Sequence, residues 1–492
     1  MRQLMWFRTD LRVQDNSALA AAMQAGPTLA VFLLSPSQWQ QHDDAPCKVD
    51  FWLRNLVPLR EALGKLGVPL LIRTADTWTD APQVIAELCN EHEIGCVQVN
   101  EEYGIHETRR DHAVADRLGE QGVQWHSHLD QLLFQPGSIL TKAGNYFQVF
   151  SQFRKVCYSR LHTALPPLVP LPKKQPALGI ASDTLPASVP GFATPPASLQ
   201  ALWPAGEAEA HERLETFADE RIGYYHDARD LPAKPGTSQL STYLAAGVVS
   251  ARQCLHRALM SNQGEFESGN SGIITWINEL LWREFYKHIL AGYPRVSRHR
   301  AFRQETEALA WRNAPKDLAA WQEGRTGIPL IDAAIKQLLA TGWMHNRLRM
   351  VVAMFLTKNL LIDWREGERF FMRHLIDGDL AANNGGWQWS ASTGTDSVPY
   401  FRIFNPVSQS QRFDAQGRFI RHWLPQLNDL SDKDVHSPHL RKGTDLFGGV
   451  DYPAPIVDLS SSRARAISAF KSLGDAQLPP LFGADSDVPW RN

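Results

Sequence analysis

The chain has 492 residues, 43% of them hydrophobic and 21% charged, with a formal net charge of −2. That is the composition of an ordinary globular protein of two or three domains with ample core, and no global basic field advertises a nucleic-acid partner. The near-neutral total hides an uneven placement: residues 1–150 hold 12 Lys and Arg against 18 Asp and Glu, and the remainder holds 38 against 34. Apolar runs such as Leu29–Leu34 and Val351–Leu356 fall far short of the ~18 residues that a membrane span needs. The opening MRQLMWFRTDLR lacks an apolar signal core. Five Cys (47, 89, 96, 157, 254) form neither a CxxC pair nor a zinc spacing, which fits a reducing, cytosolic setting.

In chain order, short apolar runs at Gln3–Phe7, Leu29–Leu34, Pro69–Arg73, Cys96–Asn100 and, more weakly, Val123–His126 alternate with helical patterns near 16–25, 48–66, 80–92 and 105–120. Such alternation predicts an α/β domain over 1–130, a Rossmann-like parallel sheet covered by helices on both faces. No GxGxxG or GxxxxGK[ST] loop follows the first strand, so neither a dinucleotide nor a P-loop reading has direct support. Residues 131–206 read as a connector between domains, and 163–204 carry ten Pro in 42 positions, the mark of an extended irregular segment. From 207 to 475 the pattern is helical, with long segments at 207–219, 240–262, 273–291, 328–341 and 344–362, and 476–492 reads as a frayed tail.

The chain has 16 Trp, and nine of them fall between Trp276 and Trp423, either as a large aromatic core or as a region that handles a planar ligand. On a helix, Trp276, Glu279, Arg283 and Lys287 share one stripe with Trp282 at its margin. An exposed Glu279–Arg283 pair beside core Trp is the plain reading of that stripe, and a cleft-lining helix is the sharper one. In Trp343-Met-His-Asn346-Arg347-Leu-Arg349-Met350, Asn346 offers an acceptor and two donors for a base edge. In Asp377-Gly378-Asp379 and the following Asn383-Asn384-Gly385-Gly386-Trp387-Gln-Trp389, paired Gly lets the backbone approach a flat ligand. The local oxygens are too few for a hard metal, so no metal is expected there. Thr237-Ser238-Gln239-Leu240-Ser241 follows Pro235-Gly236 and opens a helix, a place suited to a diphosphate or to a simple N-cap. Residues 277–303 hold six Lys and Arg against two Glu, interleaved with aromatics, as a phosphate footprint or a solvated face.

From WFRTDLR through WINELLWREFY, GWMHNRLRM and DGDLAANNGGWQW, the chain resembles the photolyase/cryptochrome family, most closely bacterial class I cyclobutane pyrimidine dimer photolyases. The resemblance runs over nearly the whole chain. It implies an α/β antenna domain and an all-α domain holding FAD as FADH⁻. It further implies light-driven electron transfer to a cyclobutane pyrimidine dimer flipped out of UV-damaged DNA. For FAD it implies Tyr225, Thr237, Ser238, Gln239, Leu240, Ser241, Trp276, Arg283, Arg349, Asp377, Gly378, Asp379 and Asn383, with Arg349 paired to Asp377 and Asn383 facing flavin N5. For DNA and lesion it implies Arg229, Glu279, Trp282, Arg283, Asn346, Arg347, Met350 and Trp389, with Glu279 and Asn383 the catalytic pair. Trp387, Trp364 and Trp311 match the family's electron path from flavin to surface, while Trp321, Trp343 and Trp423 default to core packing.

Within the family, (6-4) enzymes carry His at the positions of Asn346 and Met350, and plant cryptochromes carry Asp at the position of Asn383. Dimer repair is therefore expected, with (6-4) repair or blue-light signalling as the alternatives. Two departures stand out. Position 239 is Gln where the family's TSRLS segment has Arg, which removes a cation, although FAD binding is expected to persist. The antenna positions read His42, His106-Glu107 and Ser297-Arg298, which favours 5,10-methenyltetrahydrofolate but leaves deazaflavin, or no antenna, open. The resemblance also implies a monomer of the bacterial-type cytosol, associated with the nucleoid when bound to DNA and with no membrane partner.

Overall fold

The computed structural model describes residues 1–440 and 451–474, so the tail expected at 476–492 lies outside the described residues. Strands β1 (Arg2–Phe7), β2 (Thr28–Leu34), β3 (Leu70–Thr74), β4 (Ile94–Asn100) and β5 (Gln124–His128) form one parallel sheet in the order β3-β2-β1-β4-β5. Along β1 the side chains alternate between faces. Leu4 and Trp6 enter a core with Ile85, Leu88, Val114 and Leu118 from the helices Ala81–Glu91 and Ile105–Gly119. Met5 and Phe7 enter a second core with Leu19, Leu56 and Leu59 from the helices Ser17–Ala25 and Pro46–Lys65. Burial on both faces explains why these strands read as nearly continuous apolar runs. Strand order reverses between β1 and β4, and ligands of such sheets sit beyond the strands' carboxyl ends at that point.

The stretch 131–206 differs from a bare connector, because it contains the helices Phe150–Thr163 and Ala197–Leu202. Its Pro-rich part is irregular yet tied down along the open edge of β3. Asp183 N donates to Leu70 O at 2.9 Å, Leu70 N to Ser182 Oγ at 3.0 Å, and Ile72 N to Asp183 Oδ2 at 2.8 Å. A strand edge that would otherwise be free to pair with another chain is thereby covered.

The helical half holds its own core around Trp321, Ile331, Leu348, Trp364 and Trp387. Two expected helices are broken. The segment 240–262 divides into Ser241–Ala245 and Ala251–Ser261, with Gly247 between them at φ +66°. A Cβ at Gly247 would sit 2.0 Å from the Thr9 carbonyl oxygen, so contact with the α/β half sets the break, and Ser250 and Gln253 restart the helix with a capping box. The segment 344–362 is helical over Asn346–Met354 and continues as a π turn, Phe355–Asn359.

Buried ion pairs join the halves. Arg12 and Arg252 both reach Asp130, at 2.6 and 2.9 Å, and Arg252 also reaches Asp15 at 3.0 Å. Glu284, fully buried, accepts from Leu133 N at 3.1 Å and Phe134 N at 2.8 Å, and Glu207 accepts from Val13 N and Gln14 N at 2.8 and 3.0 Å.

Candidate active site

The helix Ser271–Gly292 packs on the short helix Tyr225–Ala228 and on Leu380–Ala391. Leu380–Ala391 also touches Asn346–Met354 and Trp364–Met372. Side-chain caps fix where three of these begin: Asn270 accepts from Gly272 N at 2.8 Å, His345 Nδ1 from Arg347 N at 3.2 Å, and Asp379 from Ala382 N at 3.0 Å. The cap on Leu380–Ala391 is also an ion pair, since the other Asp379 oxygen lies 2.7 Å from Lys287 Nζ. Burial opposes ionisation of Asp379, but Lys287, Arg283 and the helix amide overcome it and hold its carboxyl well below the usual range.

The Glu279–Arg283 pair of the plain reading does not form. Glu279 bonds Arg229 from the facing short helix, and Arg283 donates at 2.6 Å to the Gln131 carbonyl. Arg283 therefore faces the junction of the halves and Asp379. Burial pushes the Glu279 carboxyl above its ordinary value, with Arg229 pulling it back. Trp282, Trp389 and Met350 are half-buried and Asn346 is exposed. One face of Trp282 is occupied by Phe150, stacked at 3.7 Å. Arg347 is held by Asp230 at 2.7 Å and lies over Phe413.

Deeper in, Arg349 pairs with Asp377 at 2.8 Å, as the resemblance implied. Trp276 is buried against Phe217, and Tyr225 lies edge-on to the same ring. Asn383 donates from Nδ2 to the Glu368 carbonyl at 3.0 Å, which leaves its Oδ1 without a partner among the described residues. His345 is buried and its Nε2 is likewise unpartnered, burial pushing the ring down to about 4. Trp343 donates to Ser241 Oγ at 3.3 Å, and Ser238 Oγ accepts from Leu240 N at the same distance. Gln239 takes φ +54° and accepts at 3.1 Å from Arg213 of the helix Glu207–Glu220. Open acceptors on Asn383, hydroxyls at 237, 238 and 241, and the Arg349–Asp377 pair are a donor set that fits a flavin dinucleotide.

Trp387 and Trp364 are buried and Trp311 is half-buried. The Trp387 ring lies directly on Gly367, where a Cβ would come within 2.1 Å, one turn along the helix that Trp364 starts. Trp321, fully buried, meets Trp387 edge-on at 6.0 Å, so it is core and also the aromatic neighbour of the innermost tryptophan.

The antenna candidates His42, His106 and Glu107 line a cavity of about 230 Å³ beyond the carboxyl ends of β1, β2 and β4, together with Trp39, Trp52 and Trp78. Glu107 folds back over Gly104, has one buried unpartnered oxygen, and is pushed up by burial; Ser297 Oγ in the same wall is also unpartnered. Burial pushes both imidazoles down. Arg298 is exposed and does not line this cavity. Lys287, Asp230, Arg213, His299 and Glu368 complete the site. Only Lys287 carried a sequence signal, its place on the Trp276 stripe, because the others reach the site across long chain separations.

Residues 3–173 match the DNA photolyase profile and residues 276–472 that of the FAD binding domain of DNA photolyase. The deoxyribodipyrimidine photo-lyases of Salmonella typhimurium and Escherichia coli are each 43% identical to the chain, covering 95% of it and 98% of their own lengths. Among solved structures, a bacterial class III photolyase from Agrobacterium tumefaciens is 33% identical with a TM-score of 0.85, covering 96% of this chain and 98% of its own. A Synechocystis cryptochrome is 29% identical with the same TM-score, covering 95% and 98%. On sequence, on fold and on both of its halves, the chain belongs to the DNA photolyase family.

Proposed function

We propose that the protein is a deoxyribodipyrimidine photo-lyase that repairs cyclobutane pyrimidine dimers in UV-damaged DNA. The observation that carries this reading is the residue set on the helices packed around Leu380–Ala391: Asn346 and Met350, neither of them His, on Asn346–Met354, Glu279 held by Arg229 on Ser271–Gly292, and Asn383, a neutral amide with its oxygen open, on Leu380–Ala391 itself. A flipped-out dimer has apolar faces and base edges rich in carbonyl and N–H groups. Trp389 and the open part of Trp282 would receive the faces, and Glu279 and Asn346 the edges. Flipping costs a few kcal/mol, and less for a lesion that pairs badly, which favours damaged over intact DNA. Arg229 and Arg347 would sit against phosphates at the rim.

When bound and excited, FAD in its reduced form supplies the electron that opens the cyclobutane ring. Arg349 and Asp377, the hydroxyls at 237, 238 and 241, and Arg213 beside Gln239 would hold it. Asn383 would accept from N5–H, and a neutral amide there has no proton to give, which suits the anionic reduced state. Trp387, Trp364 and Trp311 would carry electrons between the flavin and solvent. Between the two halves, the Trp-lined cavity with Glu107 and Ser297 would take a planar antenna chromophore, folate in the first instance. We take the division of the chain at 130 and 207 to separate antenna and flavin functions.

The test is DNA binding by the FAD-loaded protein. A thymine-dimer oligonucleotide is expected to bind at least about a thousandfold more tightly than the same undamaged sequence, the lower end of the discrimination typical of specific sites. Equal affinity for both would overturn the reading.

A further inference from the structure

Behind Asn383 lies a charged pair that the proposed reaction does not use. Glu368 is 1% exposed, on the helix Trp364–Met372. Its Oε2 accepts from His299 Nδ1 at 3.0 Å, its Oε1 from Asn384 Nδ2 at 2.8 Å, and its main-chain oxygen from Asn383 Nδ2 at 3.0 Å. Asn384 in turn accepts from Gln388 Nε2 at 2.8 Å. The amide of Asn383 is thus turned with its nitrogen toward Glu368, and its oxygen is the end left for a ligand.

His299 is a different kind of residue. Its side chain is 51% exposed, and its backbone takes φ +56°. It lines the cavity that also holds His42, Gly378 and Asp379, and so stands between the antenna wall and the flavin turn. Glu368 and Arg369 face it from the helical half, and Asp43 and His42 from the α/β half. Arg365 donates to its carbonyl at 2.6 Å, and Asp43 is itself held by Arg373 at 2.7 Å. The hydrogen bond to Glu368, working against burial, raises the imidazole above its ordinary value of 6.5. Burying a carboxyl is costly unless partners satisfy it, and His299 and Asn384 are the side-chain partners of Glu368.

We propose that His299 and Glu368 are positioning residues that set the charge behind Asn383, so that the reduction potential of the bound flavin follows the protonation state of His299. This rests on the reading that Asn383 faces flavin N5. With His299 protonated, the pair is neutral overall and an anionic reduced flavin is tolerated in front of it. As pH rises through the raised pKa, the exposed ring releases its proton to solvent and the positive charge beside Glu368 is lost. Reduction then becomes harder than the flavin's own proton uptake requires. The sign follows from the direction of the shift: the favourable charge is present below the His299 pKa and lost above it.

The experiment is a spectroelectrochemical titration of the FAD-loaded protein from about pH 6 to about pH 9, a window that spans ordinary and raised imidazole values. Wild type is compared with His299→Asn, Glu368→Gln and Asn383→Ala. Asn is chosen at 299 because it accepts a positive φ, and Gln at 368 keeps an acceptor for Asn384. Wild type is expected to show a steepening of potential with pH that both His299→Asn and Glu368→Gln lose, and Asn383→Ala is expected to displace the whole curve. A wild-type slope retained in His299→Asn overturns the inference alone, provided that Asn383→Ala moves the curve. If Asn383→Ala leaves the potential unmoved, the placement of Asn383 at the flavin falls, and the inference with it.

Discussion

Glu279 and Arg229 hold each other across the packing of Ser271–Gly292 on the short helix Tyr225–Ala228. A carboxyl raised by burial and steadied by a guanidinium is suited to hydrogen-bond a base edge whose charge increases when an electron arrives. Glu279→Gln keeps the shape but loses the charge-assisted bond, a loss of about 1.5–3 kcal/mol. Repair per absorbed photon is expected to fall roughly tenfold, and a yield equal to wild type would remove Glu279 from the chemistry. Asp377 is a second residue that depends on one partner, because its side chain is 2% exposed and Arg349 is its ion pair. Arg349→Ala leaves that carboxylate buried and unbalanced, so FAD affinity is expected to drop by about tenfold or more, read as FAD retained through gel filtration.

At the scale of elements, the helices Trp364–Met372 and Leu380–Ala391 touch through Gly367 and Trp387, and that contact sets the distance between two tryptophans of the proposed electron path. Gly367→Ala drives a methyl into the indole and forces Trp387 aside. Overpacking of this kind costs about 1–3 kcal/mol, so a lowered melting temperature and slower light-driven reduction of FAD are expected together. Trp387→Phe separates the two effects. Light-driven reduction is expected to be lost, while protein loaded with chemically reduced FAD still repairs; retention of light-driven reduction would place the path elsewhere.

The elements also show what a sequence can reveal. Strands β1, β2 and β4 were legible because burial on both faces makes them largely apolar, β3 because of its apolar start Leu70–Ile72, and the helix Ser271–Gly292 because its stripe repeats. The break at Gly247 was not legible, since its cause is the Thr9 carbonyl more than two hundred residues away. Pairings such as Arg229 with Glu279, Arg213 with Gln239 and His299 with Glu368 leave no periodic trace, because each partner is set by tertiary packing alone. Motif resemblance named the candidate residues, and only the fold supplied their partners.

For the molecule as a whole, the two halves are bound by charge as much as by apolar contact. Asp130 is fully buried with Arg12 and Arg252 on it; burial works against its ionisation, and the two guanidiniums hold its carboxyl below the ordinary range. Arg252→Ala leaves Asp15 and Asp130 under-balanced, at a cost of about 3–5 kcal/mol. Thermal unfolding is expected to begin earlier and to separate into two transitions. A single, unshifted transition would mean that the apolar interface suffices. The central claim concerns the site among the helices Ser271–Gly292, Asn346–Met354 and Leu380–Ala391, where lesion and flavin would meet. It is tested most directly by illuminating the FAD-loaded protein with one duplex carrying a cyclobutane thymine dimer and a matched duplex carrying a (6-4) lesion, each with a dark control. The account predicts restoration of the cyclobutane dimer in the light only and none of the (6-4) lesion; no light-dependent restoration of the dimer would contradict it.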